Sequence, residues 1–414
     1  MFLSTAQKNA VLLTMADLLE AGQAAILAAN AADVAAAFDH PDRSLFDRLR
    51  VDPSKIAGMA RALRSVANHS DPVGRLLDQK TLPNGLRVVN RSVPFGTILI
   101  IYESRPDVTV EAASIAFKAG SRILLKGGRE AQRTNQVLWK LWQTALDTHG
   151  LPGEWIKLLT LDRQETEKYL SAPPERIDLI VPRGGSGLIS MVKKHAACPV
   201  LISGRGNNFL FVERSADWGM ACSLIQNAKL QKISACNALD KVLVDEQLPD
   251  LIPRLAELCR DLQRQGVLVW VDPVLAERFA TAKELGVEAG AASKPAWQAL
   301  DRPERWDEEF LDYKVLLGLT ADTTAAIAIV NRHSGGHSAT IVTNEEGPAQ
   351  QFLDQVDCAA VYHNASTRFT DGGEMGMGAE LAISTEKLHH RGPIGLEQLV
   401  TNKYFIYGTG QTRK

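Results

Sequence analysis

Short apolar runs that alternate with helical stretches are the feature that most constrains the fold of this chain. Between residues 97 and 181, runs of aliphatic residues such as Thr97–Tyr102 and Arg122–Lys126 are separated by stretches with helical apolar spacing, such as Arg133–His149. Strands that are apolar without interruption are typical of mostly parallel sheets covered by helices on both faces. The pattern resumes between residues 209 and 362, so we predict two α/β units.

Two stretches depart from this pattern. Residues 1–70 have helical apolar spacing, and Asp52-Pro53-Ser54 is typical of a helix start. Residues 80–93 predict a hairpin, because Pro83-Asn84-Gly85 is a strong turn signal between two β-rich stretches. Together with the apolar run Tyr404–Tyr407, this hairpin is a candidate for an oligomerising element, since exposed strand edges normally need a partner.

The composition is that of an ordinary globular protein. Of the 414 residues, 45% are hydrophobic and 23% are charged, and the formal net charge is -2. A basic stripe that would suit nucleic acid or an anionic membrane is not expected from this balance. The amphipathic first residues do not resemble a signal peptide, and we find no apolar run near the ~18 residues of a membrane span. We therefore expect a cytoplasmic protein with neither nucleic acid nor membrane as a partner.

The cysteines and histidines do not have the spacing of a metal site. The five cysteines are scattered and form no CxxC pair, which disfavours a disulfide framework or a zinc site and suits a reducing compartment; they are Cys198, Cys222, Cys236, Cys259 and Cys358. His333 and His337 are four residues apart, but Gly335-Gly336 lies between them and would break a helix. We expect no metal.

Cys236 has two interpretations from its local sequence. It lies between a helix and a strand among small polar residues, and Lys229 and Lys232 upstream could favour a thiolate. A buried structural cysteine is the alternative, because that is the usual place of a free cysteine. Cys198, Cys222 and Cys259 are predicted to lie in the core.

Three further stretches could bind a ligand or could be only structural. The glycine loops Lys126-Gly127-Gly128 and Pro182–Gly187 each follow a strand and precede a helix, which suits a phosphate but is also required by turn geometry. The polar stretch 364–378 suits capture of a charged small molecule or a structural loop. The acidic cluster Glu304–Glu309 is predicted to be a solvated loop.

Several of these stretches together resemble the γ-glutamyl phosphate reductases (glutamate-5-semialdehyde dehydrogenases), a family of the aldehyde dehydrogenase superfamily. The resemblance spans nearly the whole chain, and its tail signature is specific to this family. The motifs that carry it are Tyr102–Thr109, Leu125–Gly128, Val181–Gly185, Ser234–Asn237, Asn364–Gly373, Lys387–His389 and Arg391–Glu397.

The resemblance implies an aldehyde dehydrogenase-like α/β fold with a Rossmann-like cofactor domain, a catalytic α/β domain and a small oligomerisation arm. On this basis, residues 1–230 would form the NADP-binding domain, with the hairpin 80–93 in the arm. Residues 231–362 would form the catalytic domain that carries Cys236. Residues 363–414 would supply a substrate loop, return to the cofactor domain and end in an arm strand.

The same resemblance implies a reaction. NADPH would reduce L-glutamyl 5-phosphate to L-glutamate 5-semialdehyde and phosphate through a Cys236 thioester, as the second step of proline biosynthesis from glutamate. A related acyl-phosphate or acyl-CoA reductase, and a catalytically impaired family member, are the alternatives. A homo-oligomer, either dimer or tetramer, and a transient complex with a separate glutamate 5-kinase are implied as partners.

The resemblance also assigns roles to individual residues. Cys236 is the nucleophile, and Asp107 occupies the place of the oxyanion-hole asparagine of the superfamily. The expected cofactor-binding residues are Lys126, Arg129, Gly184, Gly185, Ser186 and Glu309. The expected substrate-binding residues are Asn237, Asn364, Thr367, Arg368 and Arg391.

Three departures from the family pattern bear on the chemistry. Ile202 holds the place of the glutamate that activates water in hydrolytic aldehyde dehydrogenases, which suits phosphate as the acyl partner. Asp107, the second expected catalytic residue, cannot donate a hydrogen bond to an oxyanion when ionised. Either it is protonated, or it binds the substrate ammonium and backbone N–H groups form the oxyanion hole; we expect the second. Asn208-Phe209 and Lys232-Ile233 replace residues common in the family near the cleft.

Overall fold

The computed structural model describes residues 3–38, 44–202, 204, 206–284, 295–388 and 390–413. The chain divides into two compact units. The first unit comprises Met1–Ser203, Gly376–Ala382 and Pro393–Lys414, and the second comprises Gly204–Met375 and Ile383–Gly392. We predicted a boundary at residue 230. The structure moves it to residue 204, because the strand Asn208–Val212 pairs within the sheet of the second unit.

The first unit begins with the helices that the apolar spacing predicts. They are α1 (Thr5–Ala21), α2 (Gln23–Ala36), α3 (Ser44–Leu49) and α4 (Pro53–Asn68). The predicted start at Asp52 is confirmed: its side chain accepts a hydrogen bond from the Lys55 amide at 2.8 Å, which satisfies one of the free N–H groups of the first turn.

The predicted hairpin is present as strands β1 (Leu76–Thr81) and β2 (Arg87–Pro94). Gly85 has a φ of 86° in the turn, a conformation that glycine adopts without steric cost.

An open parallel sheet follows in the first unit. Its four strands run in the order β5-β4-β3-β6, and all six residues of β3 are buried. The elements in chain order are β3 (Thr97–Tyr102), α5 (Val108–Lys118), β4 (Arg122–Lys126), α6 (Gln132–Thr148), β5 (Ile156–Leu158), α7 (Arg163–Ser171), β6 (Leu179–Arg183) and α8 (Ser186–His195). Both glycine loops therefore follow the carboxyl ends of β4 and β6, the two strands that flank β3, at the edge where open α/β sheets bind ligands.

The second unit contains a seven-stranded parallel sheet in the order β10-β9-β11-β8-β7-β12-β13. Every residue of β7 and β8 is buried. The elements are β7 (Asn208–Val212), α9 (Trp218–Leu230), β8 (Leu239–Asp245), α10 (Leu251–Arg264), β9 (Leu268–Val271), α11 (Pro273–Glu284), β10 (Gln298–Ala299), β11 (Lys314–Thr320), α12 (Thr323–His333), β12 (Ser338–Val342), α13 (Glu346–Gln355) and β13 (Ala360–His363).

The end of the chain changes unit three times, after Met375, after Ala382 and after Gly392. Strands β14 (Glu380–Ser384) and β15 (Gly392–Gly395) form a two-stranded sheet, and β16 (Val400–Tyr407) follows. β16 pairs antiparallel with β2 along its eight residues, so the hairpin and the predicted final strand form one three-stranded sheet, β1-β2-β16. The strand begins four residues before the predicted Tyr404.

Among the described residues, no single helix is long and apolar enough to cross a membrane. The helices α1 and α2, which meet at a 70° bend, together have the length and composition of a span. The described part of the chain also contains no group of three or more His, Cys, Asp or Glu side chains that could hold a metal ion.

Candidate active site

Cys236 lies in a series of tight turns between α9 and β8. The amide of Ala238 donates to the carbonyl of Ala235 at 3.0 Å, and Cys236 itself is only half-buried. Lys229, which could favour a thiolate, is buried and donates to Asp240 and to the Leu239 carbonyl. Lys232 is exposed.

The segment before β7 holds the Cys236 turn in place. Asn208 is fully buried, and its Nδ2 donates to the Cys236 carbonyl at 2.8 Å and to the Ala238 carbonyl at 2.7 Å. A Cβ added to Gly206 would lie 1.6 Å from the Cys236 carbonyl oxygen. Only glycine allows this approach. Asn208, which replaces a residue common in the family, therefore helps to hold the turn that carries Cys236.

Glu309 contacts the same segment, so the cluster predicted as a solvated loop contains a residue that is tied to the nucleophile turn. Its Oε1 accepts a hydrogen bond from the Gly206 amide at 3.0 Å. Asn207 Nδ2 donates to the Trp306 carbonyl at 2.6 Å, and residues Pro303–Asp307 form a short 3₁₀ helix. The structure thus brings Glu309 and the Cys236 turn to opposite sides of Gly206.

The polar loop after β13 folds onto the residue that follows the nucleophile. Asn237 Nδ2 donates to the carbonyls of Arg368 and Thr370, at 3.1 and 2.9 Å. Thr367 is fully buried, and its hydroxyl donates to the Asn237 carbonyl at 2.8 Å. Asn237 and Thr367 were expected to touch substrate. In the structure their donors hold the loop against the nucleophile turn, and contact of either side chain with substrate stays a prediction.

Arg368 is the cation of this loop whose charge interacts with Cys236. Its Nε donates to Gln231 Oε1 at 2.9 Å, and among the described residues one terminal guanidinium nitrogen is buried without a hydrogen-bond partner. Burial lowers the pKa of Arg368, while the negative charges of Cys236 and two acidic residues oppose that shift. A guanidinium with a free donor beside the nucleophile suits an anionic substrate group.

Asn364 and Arg391, also expected to bind substrate, have partners elsewhere in the second unit. Asn364 has a φ of 55° and exchanges two hydrogen bonds of 3.0 Å with the backbone of Thr343. Arg391 donates to the Asp357 carboxylate at 2.5 Å and to its carbonyl at 2.7 Å. Asn364 thus closes the end of β13, and Arg391 is paired with a carboxylate, while its buried Nε has no hydrogen-bond partner among the described residues. Binding of substrate by these two residues stays a prediction.

The other cysteines have less reactive surroundings. Cys259 and Cys358 are buried, while Cys198 and Cys222 are half-buried rather than fully in the core as predicted. Burial raises the pKa of Cys222 to about 11, that of Cys358 to about 11 and that of Cys259 to about 12. Since the thiolate is the nucleophile, these three thiols are poor candidates for catalysis.

In the first unit, the loop after β4 forms a concave surface. Its lining includes Gly127, Gly128, Arg129, Gln132, Asn135 and Leu158–Leu161. A Cβ at Gly127 would lie 2.2 Å from Asn135 Nδ2, so the backbone here is closely packed. Burial lowers the pKa of Lys126, and three nearby carboxylates oppose that shift. The Arg129 side chain is 93% exposed and is therefore available to a ligand.

The loop after β6 already holds an anionic group, one that the sequence did not reveal. Gly185 caps α8, which begins at Ser186, and its amide donates to Glu103 Oε2 at 2.9 Å. A Cβ at Gly184 would lie 2.4 Å from the same oxygen. A carboxylate on a helix N-terminus shows that this loop can bind an anion. The sequence did not reveal Glu103, because its hydrogen bond joins the loops after β3 and β6, which are distant in the sequence.

Asp107 lies at the N-cap position of α5, half-buried, and makes no capping hydrogen bond with its side chain. Ser104, three residues earlier, is buried and has a φ of 40°, a strained conformation that is often found at functional loops. Of the segment around Ile202, Ser203 and Arg205 lie outside the described residues, as does His389 of the tail motif.

Comparison with known proteins agrees with this arrangement. Residues 3–268 match the aldehyde dehydrogenase family. A γ-glutamyl phosphate reductase from Koribacter versatilis is 43% identical over 412 residues, covering 99% of this chain and 95% of that protein. The chain belongs to this family of reductases. It is thus an oxidoreductase with the aldehyde dehydrogenase fold, which confirms the predicted family, fold and enzyme class.

Two further relatives support the assignment. A γ-glutamyl phosphate reductase from Neisseria meningitidis is 40% identical, covering 99% of this chain and 95% of that protein. The crystal structure of the γ-glutamyl phosphate reductase from Thermotoga maritima is similar with a TM-score of 0.90 and 36% identity, covering 100% of this chain and 95% of that one. The likeness therefore includes both units and the tail.

Proposed function

We propose that this protein reduces L-glutamyl 5-phosphate to L-glutamate 5-semialdehyde with NADPH, through a thioester on Cys236, in proline biosynthesis. The observation that carries the proposal is the surroundings of Cys236: a half-buried thiol on a rigid turn, beside the guanidinium of Arg368. The family adds the substrate, since the named relatives are γ-glutamyl phosphate reductases.

The first step uses groups of the second unit. The Cys236 thiolate attacks the acyl carbon, the bond from this carbon to the phosphate oxygen breaks, and inorganic phosphate leaves with the electron pair. The result is a thioester. The partnerless nitrogen of Arg368 would bind an anionic group of the substrate and balance charge beside the thiolate.

The second step is a reduction rather than a hydrolysis. A nicotinamide cofactor, when bound, would supply the hydride for the carbonyl carbon of the thioester. The bond from this carbon to the Cys236 sulfur then breaks, which releases the aldehyde and returns the thiolate. Ile202, half-buried at the place of the hydrolytic glutamate, cannot activate water. The acyl group is therefore protected from loss as free glutamate. Asp107 is assigned to the substrate ammonium.

The residues of the first unit fit a dinucleotide. The Gly185 amide already binds a carboxylate at the start of α8, and the surface at Gly127–Arg129 is concave. Lys126, Gly184, Gly185 and Ser186 are assigned to the cofactor phosphates and sugar, and Arg129 to the 2′-phosphate that distinguishes NADPH from NADH. Glu309 is assigned to the nicotinamide ribose.

The test is the reverse reaction, followed as NADP⁺ reduction with the semialdehyde and inorganic phosphate. Wild-type protein is expected to reduce NADP⁺ only when phosphate is present. Cys236→Ser should lose at least about 10³-fold in kcat, since a hydroxyl is a far weaker nucleophile. Cys222→Ser is the matched control, because Cys222 is a half-buried thiol of the same unit with a raised pKa.

Each alternative gives a different result in this assay. Reduction that requires coenzyme A in place of phosphate would identify an acyl-CoA reductase. A folded protein without any cofactor reduction would identify a catalytically impaired family member. Near wild-type turnover by Cys236→Ser would refute the thioester.

The three-stranded sheet supports an oligomer as part of the proposal. All six residues of β1 are exposed, and large apolar side chains project from the sheet, with Leu76 55%, Tyr404 58% and Ile406 61% exposed. Such a surface on an antiparallel sheet suits a second copy of the chain. We expect a dimer or tetramer in sedimentation, and Ile406→Glu should shift it toward the 45.1 kDa monomer.

The instability of the acyl phosphate substrate supports the other proposed partner, a glutamate 5-kinase. Acyl phosphates hydrolyse readily, so direct transfer from a glutamate 5-kinase in the cytoplasm would raise the yield of product. Coupled assays should show a higher flux when kinase and reductase are mixed than when the kinase product is added after a delay equal to its lifetime. Equal flux at all enzyme concentrations would argue against a complex.

A further inference from the structure

Asp240 and Lys241 form a buried charged pair at the start of β8, four and five residues after the nucleophile. Asp240 is 2% exposed and Lys241 is 0% exposed. Lys229, also 0% exposed, donates to Asp240 Oδ1 at 3.0 Å. Nothing in the two chemical steps above uses these three charges.

The pair binds the backbone on both sides of Glu309. The Phe310 amide donates to Asp240 Oδ2 at 2.8 Å. Lys241 Nζ donates to the Glu308 carbonyl at 2.8 Å and lies 3.6 Å from the centre of the Phe310 ring. One dipeptide of β8 therefore holds the residue before Glu309 and the residue after it.

The segment that they hold is not a regular element. Glu309 follows a short 3₁₀ helix, and Leu311 has a φ of 48°, which costs energy for a residue with a side chain. Without the ladder hydrogen bonds of a helix or a strand, side-chain partners decide where such a segment lies. The Glu309 carboxylate in turn contacts the Gly206 amide, whose residue packs on the Cys236 carbonyl.

We propose that Asp240 and Lys241 are positioning residues that hold Glu309 for the cofactor and keep the Cys236 turn in register with it. The proposal deepens the proposed function and rests on it for the role of Glu309. The chemistry of Asp240 and Lys241 favours a role in positioning Glu309 over a role in stabilising the fold. Burial lowers the pKa of Lys241 to about 7, and replacing a buried ion by an apolar side chain of similar size is often neutral or stabilising.

The test compares two buried lysines. Lys241→Met removes the donor and the charge while it keeps the length of the side chain, and Asp240 retains Lys229 as its partner. Lys118→Met is the matched control, because Lys118 is also 0% exposed and donates to a carbonyl, that of Ala67, at 2.8 Å. Lys118 lies in the first unit, where it also donates to Asn9 Oδ1.

Two measurements read the position of Glu309. In the cofactor-free protein, amide hydrogen exchange of peptides that cover Glu308–Phe310 should be about tenfold faster in Lys241→Met than in Lys118→Met. In the reverse reaction, the KM for NADP⁺ should rise about ten- to hundredfold in Lys241→Met. The KM of Lys118→Met should stay at the wild-type value.

Equal exchange and equal KM in the two variants would overturn the proposal. If Lys241→Met does not fold, Asp240→Asn takes its place in the same two measurements, since it keeps the shape and removes the charge. If Cys236→Ser proves active, the proposed function fails. The exchange measurement on the cofactor-free protein still decides whether the pair positions Glu309.

Discussion

Gly206→Ala is the substitution for which the structure gives the clearest expectation. The added methyl carbon would lie 1.6 Å from the Cys236 carbonyl oxygen and 2.8 Å from the Cys236 Cα. Since carbon and oxygen normally approach to about 3.3 Å, the two segments must separate by about 1.7 Å. Both are backbone, so no side chain can rotate away, and the nucleophile turn has to move.

A displacement of this size is large for catalysis. Misplacing a reacting group by about 1 Å can cost about 10²-fold in rate, so we expect kcat to fall by about 10²-fold or more. Overpacking of this kind also lowers the free energy of unfolding by about 1–3 kcal/mol. The assay is phosphate-dependent NADP⁺ reduction, combined with the rate at which iodoacetamide alkylates Cys236.

The control is a glycine of the same unit where a methyl group has room. Gly347 lies in α13, and nothing would lie within 4 Å of its added Cβ. Gly347→Ala should keep wild-type kcat and gain about 0.5–1 kcal/mol of stability, as alanine in a helix does. A Gly206→Ala enzyme with kcat and alkylation rate within twofold of wild type would refute the reasoning.

Three further outcomes follow from single contacts. Arg368→Met should raise the KM for the acyl substrate about tenfold or more, because hydrogen bonds to charged groups contribute about 1.5–3 kcal/mol; Arg368→Lys should recover part of it, and equal loss in both would argue against a charge role. Glu103→Gln should tighten NADP⁺ binding about threefold in a fluorescence titration, since it removes a negative charge at the start of α8; weaker binding would contradict this. His337 is fully buried, and burial lowers its pKa from 6.5 to about 4, so the unfolded chain binds more protons between these values and stability falls as pH drops through that window. At pH 5 this loss is about 2 kcal/mol relative to pH 7. In urea unfolding, the free energy of unfolding of His337→Gln should not lose this amount between pH 7 and pH 5. If the variant and the wild type have the same pH dependence, His337 is not the cause of the loss.

Much of the architecture follows from local patterns. Thr97–Tyr102 is buried along its whole length, as a continuous apolar run predicts for a covered parallel sheet. The helix start at Asp52 and the turn at Gly85 were also predictable, because a cap and a turn depend on a few neighbouring residues. The domain boundary was not, since which sheet accepts the strand Asn208–Val212 depends on pairing with the distant strand β12 as well as with β8.

The candidate site shows the same division. The sequence by itself determined the family, the nucleophile candidate and the glycine loops, because these are carried by contiguous motifs. Only the tertiary structure decided that Thr367 and Asn237 hold each other, that Arg391 is paired with Asp357 and that Arg368 keeps a donor beside Cys236. A side chain can bind either a ligand or a neighbour, and which of them it binds depends on residues that are distant in the sequence, 34 positions away for Arg391 and 130 for Thr367. Such contacts exist only once the chain has folded.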